Sequence, residues 1–295
     1  MAEYIISTCS TADIPEETFN QYDIVCVPFN FYIDDVPYKD DLGKSISNEE
    51  FYERLDKGAD VKSSQVSVGE YTEIFEKYLK EGKDILHLAL DTGISGTYQS
   101  AMIAKQDLEE KYPDRKIIVV DTLAASGGLG MFAETVSELR AAGKTIEEAA
   151  QWAEDNKKRC HTWFCTTSLK QFIKGGRVSK TAGLVGGMLN ICPVLNVNVE
   201  GKLEPRGKVK GIKKAFKALV DFMEEWTEEG TNYDQKVVVS HSGCLKDAEY
   251  TVGLLEERFP NIKGKVQITQ VGTTIGCHTG RGTVVLSFWG KEKID

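Results

Sequence analysis

The chain has 295 residues, 41% hydrophobic and 27% charged, enough for two ordinary domains with apolar material left to line a cavity. Acidic residues outnumber basic ones by 45 to 36, and a net charge of -9 repels phosphate backbones and anionic membrane surfaces, so nucleic acid is not expected as a partner. The N-terminal residues lack a basic stretch followed by an apolar core, and no apolar run approaches the ~20 residues that span a bilayer, so a cytoplasmic protein without stable membrane insertion is expected.

Strands are predicted at residues 4–8 and 24–29. Helices follow at 47–57 and 67–80, with Ser47 and Ser67 as caps and Glu50 and Glu70 in the capping-box position. The run Asp-Ile-Leu-His-Leu-Ala-Leu at 84–90 reads as a buried strand, followed by a helix at 96–111, a strand at 116–120 and helices at 126–142 and 145–158. Strands separated by helices at this spacing imply a mainly parallel sheet with flanking helices, and ligands of such sheets sit beyond the carboxyl ends of the strands. The second part differs: strands at 192–199, 236–240, 264–271 and 283–289, and helices at 212–226 and 246–258. The fold class expected is therefore α/β with two lobes, residues 1–166 and 167–295.

Three strand-to-helix junctions concentrate hydroxyls and glycine, at residues 62–70, 91–101 and 121–130. Each brings hydroxyl donors and backbone N–H groups to a helix N-terminus, where the dipole favours a carboxylate or phosphate. Taken singly, Ser67, Ser95 and Ser126 need be no more than N-caps; three such junctions in one lobe point to an anion site.

Other chemistries find less support. There is no G-x-x-x-x-G-K-[ST] and no G-x-G-x-x-G after the first strand, and the glycines of Lys174-Gly175-Gly176-Arg177 and of 183–187 lack phosphate-loop spacing. G-x-S-x-G is absent, and His241 between Ser240 and Ser242 makes no nucleophile–base pair by adjacency alone. The seven cysteines are odd in number and form no Cys-x-x-Cys, against a disulfide framework or zinc ribbon. In a strand at 160–166 the pleat would divide Cys160 from His161 and Cys165, so no metal site is expected there. His87 reads as a core histidine. His278, in a glycine-flanked segment before the last strand, reads as an accessible loop residue able to pair with an anion. Asp34-Asp35 and Asp40-Asp41 read as a solvated hairpin.

Five segments occur in order: Ser-Ser-Gln-x-Ser-x-Gly-Glu (63–70), Ile-Ser-Gly-Thr-Tyr-Gln-Ser-Ala (94–101), Leu-Lys-x-Phe-x-Lys-Gly-Gly-Arg (169–177), Cys-Pro-Val-Leu-x-Val (192–197) and Ile-Gly-x-His-Thr-Gly (275–280). Together they resemble the DegV family, which includes the fatty-acid-binding subunits of bacterial fatty acid kinase. The resemblance implies two α/β lobes enclosing one long-chain fatty acid, no cofactor and no catalytic residue. It also implies a separate ATP-dependent fatty acid kinase as partner. The carboxylate would fall to Ser63, Ser95 and His278, with Thr92 and Ser126 as further candidates, and Arg177 would meet the kinase on an exposed turn. The sequence departs from the family pattern at Cys9, Asp91-Thr92, Lys210 and Arg281. Asp91 would place a negative charge near the carboxylate, which Arg281 could offset. The rival readings are a phosphotransferase related to dihydroxyacetone kinase, which would need a nucleotide site and an acidic cluster for Mg²⁺, and a lipid-sensing regulator.

Overall fold

The structure, a computed structural model, describes residues 3–179 and 190–294; Lys180 and the glycine-rich run 183–187 lie outside them. Strands β1 (Tyr4–Cys9), β2 (Ile24–Val27), β6 (Asp84–Ala89) and β7 (Ile117–Asp121) form a wholly parallel sheet in the order β2-β1-β6-β7. Every residue of β1 and β6 is buried, as befits central parallel strands covered on both faces. The expected alternation of strand and helix is observed. It includes α3 (Val68–Lys80) and α6 (Ile146–Asn156), whose capping boxes pair Ser67 with Glu70 and Thr145 with Glu148.

A small antiparallel sheet was legible in the sequence only as a hairpin at the acidic pairs. It consists of β3 (Asn30–Ile33), β4 (Val36–Lys39) and β5 (Val61–Ser64), in the order β4-β3-β5. Four-residue strands give too few alternations to register as a pattern. Its hairpin turns at Asp34 and Asp35, both at positive φ (50° and 63°), the conformation a two-residue turn between right-twisted strands requires. The acidic pairs divide. Asp34 and Asp35 are exposed, whereas Asp40 is buried, accepting from Ser10 Oγ at 3.0 Å.

The third sheet is mixed. It contains β8 (Cys160–Thr166), β9 (Ile191–Val197), β10 (Leu203–Lys210), β11 (Val237–His241), β12 (Gln267–Gln270) and β13 (Thr283–Trp289), in the order β10-β9-β8-β13-β11-β12. Only β11 and β12 run parallel. Its outer face is covered by α8 (Ile212–Trp226) and α9 (Leu245–Arg258). The buried stripe of α8 runs through Ala215, Phe216, Leu219, Val220 and Met223, at helical spacing. The six-stranded sheet begins with β8, whose residues fall on the N-terminal side of the expected lobe boundary.

Helix α5 (Gly127–Ala141) joins the two large sheets: it packs on β1 and β6 and equally on β8, β11 and β13. A short helix, α10 (Thr273–Thr279), comes from the C-terminal part of the chain but packs against β3, β5 and α2 (Asn48–Asp56) of the first part. The space between α5, α10 and the inner face of the six-stranded sheet holds a cavity, the candidate functional site.

Candidate functional site

A cavity of about 270 Å³ opens where the lobes meet. Its floor is apolar: Phe164, Val197 and Val285 from the large mixed sheet, with Phe29, Leu90, Phe172 and Ile275 around them. The pleat of β8 explains the division of labour there. Trp163 and Cys165 join the core under α8, while Thr162 and Phe164 point the other way, into the cavity. Loops leaving the carboxyl ends of β6 and β7 supply Ile94, Ser95, Ala125 and Ser126, where the parallel sheet was expected to place its ligand.

Ser63, Ser95, Ser126, His278 and Arg177, far apart in sequence, all line this one cavity. Ser63 Oγ and His278 Nε2 lie 2.7 Å apart, joining the end of β5 to α10 across 215 residues of sequence. His278 is not the accessible loop residue expected. It sits on α10, whose seven residues include Gly276 and are too few to show a periodicity. Burial, reinforced by the positive charge of Arg177, depresses the imidazole to about 4, so His278 is neutral at physiological pH. Its Nδ1 packs against Gly175 and has no partner. A Cβ at residue 175 would fall 2.1 Å from that atom, so this position must be glycine for the ring to hold its place.

Arg177 also departs from expectation. It follows α7 (Lys170–Lys174), but its side chain folds back instead of projecting from an exposed turn. Nε donates to Ile94 O at 3.0 Å and Nη1 to Gly175 O at 2.5 Å, because the turn's free carbonyls are the nearest acceptors. The half-buried guanidinium borders both the cavity and an outer groove lined by Gly93, Gly176, Lys202 and Pro205. Lys174, beside it, is paired with Asp60.

The serines differ in what they cap. Ser67 caps α3 and is absent from the cavity wall. Ser95 Oγ accepts from Thr97 N at 3.2 Å, ahead of α4 (Thr97–Lys111), yet still borders the cavity. Ser126 occupies the N-cap position of α5 with φ 53° and ψ −138°, a backbone conformation that non-glycine residues seldom adopt, and makes no capping bond. Thr92 does not line the cavity: its hydroxyl donates to Asp121 Oδ2 at 2.5 Å.

Asp91 does not confront the cavity either. It is fully buried and accepts from Gly93 N at 2.8 Å; burial raises its carboxyl well above the usual range. The β9–β10 turn presses on it so closely that a Cβ at Gly201 would meet Asp91 Oδ1. Arg281 offsets nothing there, since its Nε lies 2.6 Å from Asp56 and its guanidinium covers the Tyr52 ring. His87 is a core residue, held by Ser7 Oγ at 2.9 Å and Tyr71 OH at 3.2 Å. His161 stacks on Phe288 and reaches Lys291 O. Among the described residues no group of three His, Cys, Asp or Glu is placed to hold a metal ion, and no helix is long and apolar enough to cross a membrane.

Sequence reasoning missed Thr162, Thr274, Thr279 and Gln65 on the wall. Gln65 and the two threonines of α10 lay inside or beside segments already singled out. Thr162 carried no signal, being one polar residue in a buried strand.

The chain matches the model of the DegV family, described as uncharacterised proteins, over residues 4–291. A DegV domain-containing protein of Clostridium perfringens is 37% identical over 294 residues, 99% of each chain. Two solved structures superpose over nearly their whole lengths. A DegV lipid binding protein from Thermotoga maritima has a TM-score of 0.84 at 30% identity, covering 99% of this chain and 100% of that one. A DegV family protein from Thermus thermophilus, reported for fatty acid binding, has a TM-score of 0.84 at 26% identity, covering 98% and 99%. The five ordered segments, the two-lobed fold and the relatives agree: the chain belongs to the DegV family.

Proposed function

We propose that this protein binds one long-chain fatty acid in the inter-lobe cavity and presents its carboxylate to a separate ATP-dependent kinase. The observation that carries the reading is the cavity itself: an apolar floor with Ser63, neutral His278, Ser95 and Arg177 gathered on one wall. Relatives whose structures are described as lipid-binding and fatty-acid-binding support it.

Burying about 14 methylenes at ~0.8 kcal/mol each supplies roughly 11 kcal/mol before ordering costs, so the acyl chain dominates affinity. The polar wall then selects the head group. With His278 Nε2–H donating to Ser63 Oγ, the Ser63 hydroxyl proton is free to donate to the carboxylate, and Arg177 supplies the counter-charge. A neutral imidazole so placed holds its partner without taking a proton from it. In that tautomer the pair serves retention of the carboxylate. Arg177 borders the outer groove as well, which suits it to face both the bound carboxylate and the phosphate of an approaching partner.

The test is competition. A fluorescent fatty acid bound to delipidated protein should be displaced by oleate at least tenfold more readily than by oleamide or oleyl alcohol. Equal displacement by all three would remove the head-group assignment. Phosphorylation of bound oleate with ATP and a supplied kinase, and no ATP turnover without the kinase, completes the reading; turnover by the chain alone, altered by a point substitution in it, would favour the phosphotransferase instead.

A further inference from the structure

The cavity carries more polar surface than a carboxylate needs. Besides the Ser63–His278 pair, it is lined by Ser126, Thr162 and Thr274, which are 3%, 3% and 2% exposed. The Thr162 and Thr274 hydroxyls have no hydrogen-bond partner, while Ser126 has the buried Asp13 carboxyl beside it. Buried polar groups are normally paired, and orphans cost free energy that a purely hydrocarbon ligand would not recover.

All three line the same cavity, where the start of α5, β8 and α10 meet. A Cβ on Gly128 would come within 2.5 Å of Thr162 Oγ1, so the first turn of α5 lies directly against that threonine, with Ser126 at its cap. Ser126 stands beside the buried Asp13 carboxyl. Asp13 Oδ1 in turn accepts from Gly272 N at 2.9 Å, at the cap of α10, two residues before Thr274. The three hydroxyls are also set apart from the head-group wall. Thr274 precedes His278 by four residues on α10, about 6 Å along the axis. Thr162 lies two residues from Phe164 on the same face of β8, about 6.6 Å along the strand, and Phe164 stacks on Phe172 next to the Arg177 turn.

We propose that the preferred ligand is an oxygenated fatty acid, whose chain hydroxyl or keto group is held by Ser126, Thr162 and Thr274. The proposal rests on the fatty-acid reading above and names its substrate class. Thr and Ser hydroxyls both donate and accept, so the same groups serve a chain hydroxyl or a keto oxygen. A plain methylene at that depth offers the Thr162 and Thr274 hydroxyls no partner.

The experiment compares delipidated wild type, Thr162→Val, Thr274→Val and Ser126→Ala against stearate, a positional series of hydroxystearates and the matching ketostearates, by displacement of a fluorescent fatty acid. At least one hydroxy- or ketostearate should bind wild type tenfold or more tightly than stearate. That preference should fall to threefold or less in Thr162→Val and Thr274→Val. In the ligand-free state the valine variants should melt no lower than wild type, because each removes an unpaired hydroxyl at constant volume. Stearate binding as tightly as every oxygenated acid overturns the inference while leaving the fatty-acid reading intact. So does a preference that persists in the valine variants. Binding of neither acid class to the folded protein overturns both.

Discussion

Gly175 offers the sharpest test of the head-group wall, because substitution there perturbs one contact and little else. Its φ of −75° and ψ of −6° suit any residue, so Gly175→Ala imposes no backbone strain. The new methyl carbon would lie 2.1 Å from His278 Nδ1, where ordinary contact begins at 3.4 Å, so the ring must retreat by about 1 Å. A retreat of that size breaks the 2.7 Å link between Nε2 and Ser63 Oγ. Loss of an ordered hydrogen bond to a charged ligand group costs about 1.5–3 kcal/mol, a tenfold or greater loss of oleate affinity. The neighbouring glycine supplies the control. Gly176 has φ +74° and open space beyond its Cα, so Gly176→Ala strains the backbone by about 1 kcal/mol and leaves the imidazole alone. Fluorescent-acid titration and thermal melts on both variants should therefore dissociate: each variant loses a few degrees of Tm, but only Gly175→Ala loses oleate affinity, Gly176→Ala keeping it nearly constant. Undiminished oleate binding by Gly175→Ala would refute the role given to His278.

Ser63→Ala and Ser95→Ala should each weaken oleate binding about tenfold without lowering Tm by more than a few degrees; wild-type affinity in both, by the same titration, would move the carboxylate elsewhere. Arg177→Ala should lower phosphorylation of bound oleate by a supplied kinase more than it lowers oleate affinity, and equal losses would confine Arg177 to the ligand site. Asp13 is raised to about 8, chiefly by burial, whereas an unfolded carboxyl titrates at about 3.9. The folded state thus holds a proton that the unfolded state releases, and stability falls as pH rises from about 4 to about 8. Asparagine escapes this penalty, so the Tm advantage of Asp13→Asn over wild type should grow between pH 5 and pH 8; a gap that does not change with pH would contradict the assignment.

Long elements with strong local signals were legible in the sequence. The capping box at Ser67, the fully buried β6 and the amphipathic α8 each carry their pattern within their own residues. Short elements were not: β3, β4 and β5 have four residues each, and α10 has seven. These elements owe their structure to tertiary packing, which no local window contains. Asp40 shows the same limit. Adjacent to Asp41 in a polar stretch it reads as solvated, yet its carboxylate meets Ser10 Oγ and Thr274 N from distant parts of the chain. At the site, Ser63, Ser95 and His278 were found through ordered motifs, but their convergence on one cavity depends on α10 crossing into the first lobe. Thr92 misled because a hydroxyl at a strand end says nothing of its direction, and it turns to Asp121. Arg177 misled because free carbonyls at Ile94 and Gly175 were invisible in one dimension.

In the protein as the cell makes it, the cavity should already hold a fatty acid. Purified without added lipid, denatured and extracted into organic solvent, the protein should release a long-chain fatty acid, plain or oxygenated, at close to one per chain by quantitative mass spectrometry. His278→Ala prepared in parallel should release clearly less. Extracts with no fatty acid above the level of an unrelated control protein, from wild type that also fails to take up oleate, would contradict the account.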